Sequence, residues 1–138
     1  MSQLNLHPLD NYINLYHFNI RYKKDILLII LQYLLPNKDI FFSLTINDDE
    51  ISIICDSFIE NYIQGIEHIV LKNYKCIRIS DDYDNINYVG IVKKISTLLT
   101  EINIPILYIN SFNNNFIIVE TKFFQMAMNH LINNFTSD

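Results

Sequence analysis

The sequence predicts an α+β chain made of two small modules, each a strand–helix–strand–strand–helix run. Three observations carry this expectation. The first is a weak self-similarity at an offset of about 65 residues. Residues 39–45 (DIFFSLT), a polar turn and residues 51–55 (ISIIC) form one hairpin, and residues 105–111 (PILYINS), a polar turn and residues 116–120 (FIIVE) form the other. The second is that each hairpin follows a helix-like run, 24–35 or 88–102, and precedes a further amphipathic segment. The third is size. In a chain of 138 residues, each half is small enough to bury only ~60% of its unfolded surface, so the halves are expected to share a core or a sheet edge.

Taken in order, residues 4–9 read as a short strand whose Pro8 is acceptable at a sheet edge. Residues 12–21 alternate well enough for a strand, with Ile13, Leu15, Phe18 and Ile20 as its apolar members. The run 24–35 is apolar on all sides, and periodicity alone does not assign it. Its length, its straight-chain leucines and the terminal Pro36 predict a buried helix. Residues 40–46 and 50–55 then pair across Asn47-Asp48-Asp49. Ser57 with Glu60 has the spacing of a capping box, and Gly65 sits where a left-handed residue ends a helix, which predicts about two turns between them. Residues 66–71 and 74–80 read as two strands separated by Lys72-Asn73.

The polar loop 81–87 opens onto the best helical pattern in the chain. Tyr88, Ile91, Val92, Ile95, Leu98, Leu99 and Ile102 fall on one face, and Lys93, Lys94, Ser96, Thr97, Thr100 and Glu101 on the other. Pro105 closes that helix ahead of the second hairpin. Thr121 is read as the cap of a last helix carrying Phe123, Phe124, Ala127, Leu131 and Phe135 along one side. The second module then lacks the final strand of a βαββαβ unit, while the strand at 4–9 is surplus to the first. The economical solution is that residues 1–10 complete the sheet of the second module, giving a first domain at 11–72 and a second at 73–138.

Composition excludes several classes of function. A net charge of −5, with only Lys23-Lys24 and Lys93-Lys94 as basic doublets, argues against nucleic acid. The chain has 26 Ile and 18 Asn against 1 Ala and 2 Gly. That imbalance follows codon AT-content, so Asn113-Asn114-Asn115 is read as a turn and not as a prion-like tract. No signal peptide is visible, and no apolar run approaches the ~20 residues needed to cross a bilayer. Cys55 and Cys76 have no paired spacing and read as buried reduced thiols, consistent with a cytoplasmic protein.

Catalytic chemistry finds little to work with. No nucleophile elbow or glycine-rich phosphate loop is present. His7, His17, His68 and His130 lack ligand spacing, so no zinc site is expected. Asp82-x-Asp84 resembles the start of a calcium loop, but Ile86 stands where a third oxygen should be. Neither a metal, a cofactor nor a catalytic residue is assigned. Two segments remain. The loop running through Asp84 to Gly90 caps the following helix, and it could also offer backbone N–H groups to the carboxylate of a small zwitterion and an aspartate to its ammonium group. The turn 110–115 places hydroxyl and amide groups beside an aromatic at a strand end; as a hairpin turn it needs no further explanation.

These same segments carry a resemblance. Residues 84–92 followed by 104–119 (IPILYINSFNNNFIIV) resemble the C-terminal half of small tandem ACT-domain proteins, which share their module with the CASTOR family of cytosolic arginine sensors. In the first half, Leu4-Asn5-Leu6-His7 and the hairpin FFSLT…EISIIC match the family's opening strand and hairpin. The resemblance implies two ferredoxin-like (βαββαβ) ACT modules in tandem, with the N-terminal strand completing the second. It further implies a non-catalytic regulatory protein that binds a small amino acid or related metabolite between modules. A homodimer and a regulatory protein partner belong to the same pattern. Matched motif by motif, the ligand-binding residues are Asp84, Ile86, Asn87, Val89 and Gly90 in the loop and Ser111, Phe112 and Asn115 at the hairpin. Asn115 stands where the family pattern has an aspartate. An amide supplies no charge for a cationic side chain, which points to a neutral amino acid, or to no ligand, in place of arginine. The competing expectation is a ligand-free protein-interaction module or regulatory subunit on the same fold.

Overall fold

The computed structural model describes residues 4–37, 40–81 and 88–135. Over these residues the elements run β1 (Leu4–Pro8), β2 (Ile13–Asn19), α1 (Lys23–Leu34), β3 (Ser43–Ile46), β4 (Glu50–Cys55), β5 (Ile69–Asp81), α2 (Tyr88–Glu101), β6 (Leu107–Asn110), β7 (Asn115–Glu120) and α3 (Phe124–Phe135). The ladders β2–β4, β3–β4, β1–β5, β5–β7 and β6–β7 are antiparallel, so the class is α+β. The chain divides into two compact units, Asn11–Asn73 and a split unit made of Met1–Asp10 with Tyr74–Asp138.

In the unit Asn11–Asn73 the strand order is β3-β4-β2-β5. Alternation along β4 turns Ile51, Ile53 and Cys55 to one face, where Tyr16 and Phe18 of β2 join them. α1 covers that face with Ile26, Ile30 and Tyr33, three positions at helical spacing, and Ile59 and Ile63 complete the layer. The buried Tyr33 hydroxyl donates to Asp56 Oδ1 at 2.9 Å. The same oxygen accepts the Phe58 N–H at 3.0 Å and caps a 3-10 turn, Ser57–Asn61.

Three expectations are corrected in this unit. The two-turn helix after β4 is a five-residue 3-10 turn, and its cap is Asp56, not Ser57. Residues 69–81 form one strand and not two: the left-handed Asn73 (φ 71°), a conformation asparagine tolerates, departs from extended backbone at a single residue, and its N–H is satisfied by Asn14 Oδ1 at 3.2 Å. The helix α1 is not buried on all sides. A helix lying on one sheet face covers only part of its circumference, and Leu27, Leu28, Leu31 and Leu35 are exposed. Gly65 does take the left-handed conformation read from the sequence, with φ +88°.

In the split unit β7 pairs with β5 and β6 pairs with β7, while β1 adds to β5 from Leu4 opposite Asp81 to Pro8 opposite Ile77. Ile77 and Ile79 of β5 and Ile117 and Val119 of β7 form the inner layer. Ile95, Leu98 and Leu99 of α2 and Ala127 and Leu131 of α3 close over it. The chain leaving β1 is held where Lys75 Nζ donates to Leu9 O at 3.1 Å and to Asp10 O at 3.3 Å, and where Leu9 N–H donates to Cys76 O at 2.9 Å. Thr121 does not cap α3. It begins a 3-10 turn, Thr121–Phe123, and its hydroxyl is buried with no hydrogen-bond partner among the described residues.

Two outcomes follow from this packing. Ile77→Ala, which empties the inner layer of the split unit, is expected to cost about 2–5 kcal/mol by urea unfolding, against about 1 kcal/mol for Tyr33→Phe, which removes one hydrogen bond. Burial pushes the Cys76 thiol up from 9.0 to about 12. A pKa raised in the folded state stabilises fully below pH 9.0 and ceases to do so as pH rises through about 12. The urea midpoint should therefore fall between those values, and fall less in Cys76→Ala.

Candidate functional site

Three of the residues singled out by the sequence are assembled on the β6–β7 hairpin. Asn115 opens β7, opposite Asn110 of β6 and Ile79 of β5. Since β5 ends at Asp81, Asn115 lies at the end of the sheet from which the chain departs toward α2. Side chains alternate along a strand, so Asn115 shares the helix-covered face with Ile117 and Val119. It is only 5% exposed, and its Oδ1 has no hydrogen-bond partner among the described residues. A buried acceptor left in that state costs about 1–3 kcal/mol.

Ser111 and Phe112 occupy the turn between the two strands. The Ser111 N–H donates to Asn114 O at 2.8 Å and its hydroxyl to the same oxygen at 3.3 Å, while the Asn114 N–H donates to Ser111 Oγ at 3.3 Å. The Ser111 side chain thus closes the turn on itself, a sufficient local reason for a serine there. Phe112 at the tip is 92% exposed. Val89 and Gly90 lie in the first turn of α2, and Gly90 is exposed. Asp84, Ile86 and Asn87, with the rest of the loop and its Asp82-x-Asp84 sequence, lie outside the described residues.

One polar residue of this hairpin escaped the sequence reading. Tyr108 pairs with Ile117, so it shares Asn115's face and is its diagonal neighbour in the ladder. Its hydroxyl is buried without a partner among the described residues, and burial pushes the phenol up to about 12. Inside an apolar strand a tyrosine reads as core, because only its tip is polar. The neutral phenol and the amide oxygen place a donor and an acceptor within one hydrophobic layer. Neither atom is a strong base or nucleophile, so the pair is suited to recognition. Among the described residues no group of three or more His, Cys, Asp or Glu could hold a metal ion.

An ACT domain is found over residues 70–133, which covers β5 through most of α3 and includes the whole hairpin. No curated protein matches the sequence. Among solved structures, protein Atu0741 from Agobacterium tumefaciens is similar at TM-score 0.70 and 19% identity, covering 95% of this chain and 88% of its own. The regulatory subunit of aspartate kinase from Thermus thermophilus in its ligand-free form is similar at TM-score 0.69 and 11% identity, with 96% and 97% covered. Clostridium acetobutylicum aspartate kinase is similar at TM-score 0.70 and 17% identity over 96% of this chain, which spans 34% of that enzyme. At such identities the likeness is one of fold.

The buried Asn115 oxygen, without a partner among the described residues, has a measurable consequence. Asn115→Leu replaces a buried unsatisfied acceptor with an apolar side chain, and the thermal midpoint of the ligand-free protein should rise by about 2–4 °C. Asn115→Asp, which buries a charge in the same place, should lower it.

Proposed function

We propose that this chain is a non-catalytic regulatory protein of two ACT modules that binds a small neutral amino acid, or a related metabolite, where ACT modules meet. The observation that carries the proposal is the buried Oδ1 of Asn115, without a partner among the described residues, at the loop-side end of an ACT domain. An ammonium group is the donor that best repays such an acceptor, and the N-terminal turn of α2 suits the carboxylate of the same zwitterion. Asp84, Ile86, Asn87, Val89 and Gly90 form the loop side of the site, and Ser111, Phe112 and Asn115 its hairpin side. Tyr108 supplies a further donor beneath them. The amide at 115 disfavours arginine, whose guanidinium calls for a carboxylate, so the chain departs in ligand from the arginine sensors it resembles.

Binding would act by stabilising one arrangement of modules over another, which a protein partner then reads. The proposal includes a homodimer and a cytoplasmic setting. No described helix is long and apolar enough to cross a membrane. A second reading, a ligand-free interaction module or regulatory subunit, is favoured by one observation, the exposed leucines of α1.

Calorimetric titration against the proteinogenic amino acids separates the two. Heat and a raised thermal midpoint with one or a few neutral amino acids are expected, with affinity lost at least tenfold in Asn115→Leu and weakened to a lesser degree in Ser111→Ala. A flat response across the whole panel would remove the ligand and leave the interaction module.

A further inference from the structure

The α1 helix presents a second apolar side for which its own unit has no use. Ile26, Ile30 and Tyr33 face the core, whereas Leu27, Leu28, Leu31 and Leu35 are exposed by 36%, 54%, 56% and 80%. Singly exposed apolar side chains are ordinary, but a contiguous set on one helix is not. The spacing is specific as well. Lys24, Leu28, Leu31 and Leu35 follow one another at intervals of four, three and four residues, which is the seam of a two-helix coil, and Leu27 flanks it.

The geometry points to α1 as the surface through which two copies of this chain associate, antiparallel and related by a two-fold axis. The inference rests on the homodimer of the function proposed above and not on its ligand. Two physical arguments commit the face to a second copy. The first is charge. Lys23 and Lys24 crowd the positive end of their own helix, with Asp25 alone opposing them, while the last turn of α1 holds no basic residue. Antiparallel packing centred between Leu28 and Leu31 sets Leu28 of each copy against Leu31 of the other. It also carries each Lys24 to Leu35 at the partner's helix end, where the negative pole has no cation of its own. An arrangement that is locally unfavourable in one chain becomes complementary in two.

The second argument is area. With a whole leucine near ~180 Å², the four exposed fractions amount to on the order of 400 Å² of apolar surface per copy, close to the apolar share of the roughly 800 Å² that each partner of a standard interface buries. A helix of 12 residues is about 18 Å long, enough for one such contact at the shallow crossing angle of seam packing, about 20°. Isologous pairing also closes the assembly at two, since the same patch is used by both members.

Sedimentation of the full chain across about 1–200 µM tests this. The wild type should form a concentration-dependent dimer. Leu28→Glu and Leu31→Glu should each weaken it at least 100-fold with far-UV circular dichroism unchanged, and raised salt should weaken the wild type several-fold. Should a glutamate variant fail to fold, Leu28→Cys gives an independent readout: both native cysteines, Cys55 and Cys76, are buried, so a short bismaleimide should capture a covalent dimer through residue 28 alone. A wild-type dimer indifferent to both glutamates and not captured through residue 28 would overturn the α1 face and leave the homodimer itself standing. A monomer throughout the range would overturn both, including one that binds lipid vesicles or a different protein through the same leucines. Amino-acid titration of the monomeric variants reads the ligand site separately.

Discussion

A strand that forms ladders along both of its edges leaves its backbone no alternative partner. β5 is such a strand. Over residues 77–79 it pairs with β1 on one side and β7 on the other, and its 13 residues extend through both units of the chain. The inward residues Ile77 and Ile79 meet Ile117 and Asn115 across the ladder, and α2 and α3 are laid on that row. Most of the architecture of the split unit follows from satisfying this one strand. Its position also decides where polar chemistry can occur, since the apolar row ends at the Ile79–Asn115 pair.

The Asn115 position shows how a core changes character at its margin. Two residues further along β7, on the same face, Ile117 is fully buried and has no polar side-chain group of its own to satisfy. At Asn115 the same face reaches the chain's exit toward α2, and an amide is held there with its oxygen desolvated and without a partner among the described residues. Stability alone would place leucine at such a site.

Much of the fold was legible because its strongest signals are local. β4 and α2 declare themselves by clean periods of 2 and 3.6, and the α+β class follows from the order of elements. Where the sequence misled, the deciding interaction was remote or conformational. Lys72-Asn73 looks like a turn, yet the left-handed departure is confined to Asn73, whose N–H is taken up by Asn14, and β5 runs on past it. Ser57 and Glu60 have capping spacing, but Asp56, drawn in by the Tyr33 hydroxyl 23 residues away, takes the role first. The all-apolar pattern of α1 gave no hint of which side would stay uncovered, because a single helix cannot report how many surfaces it will meet. Of the candidate site, Asn115 and Ser111 were visible as hairpin polar groups, whereas Tyr108 was hidden by its aromatic ring.

The route of β1 bears on how the molecule is made. Its ladder with β5 joins residues roughly 70 positions apart, among the longest-range contacts of the chain and so among the last that loop-closure entropy allows to form. On a ribosome the first strand emerges well before the strand that will receive it. Until that strand arrives, an edge rich in leucine waits unpaired. A chaperone, or any peptide able to mimic those few residues, would find its opportunity in that interval and not in the finished protein.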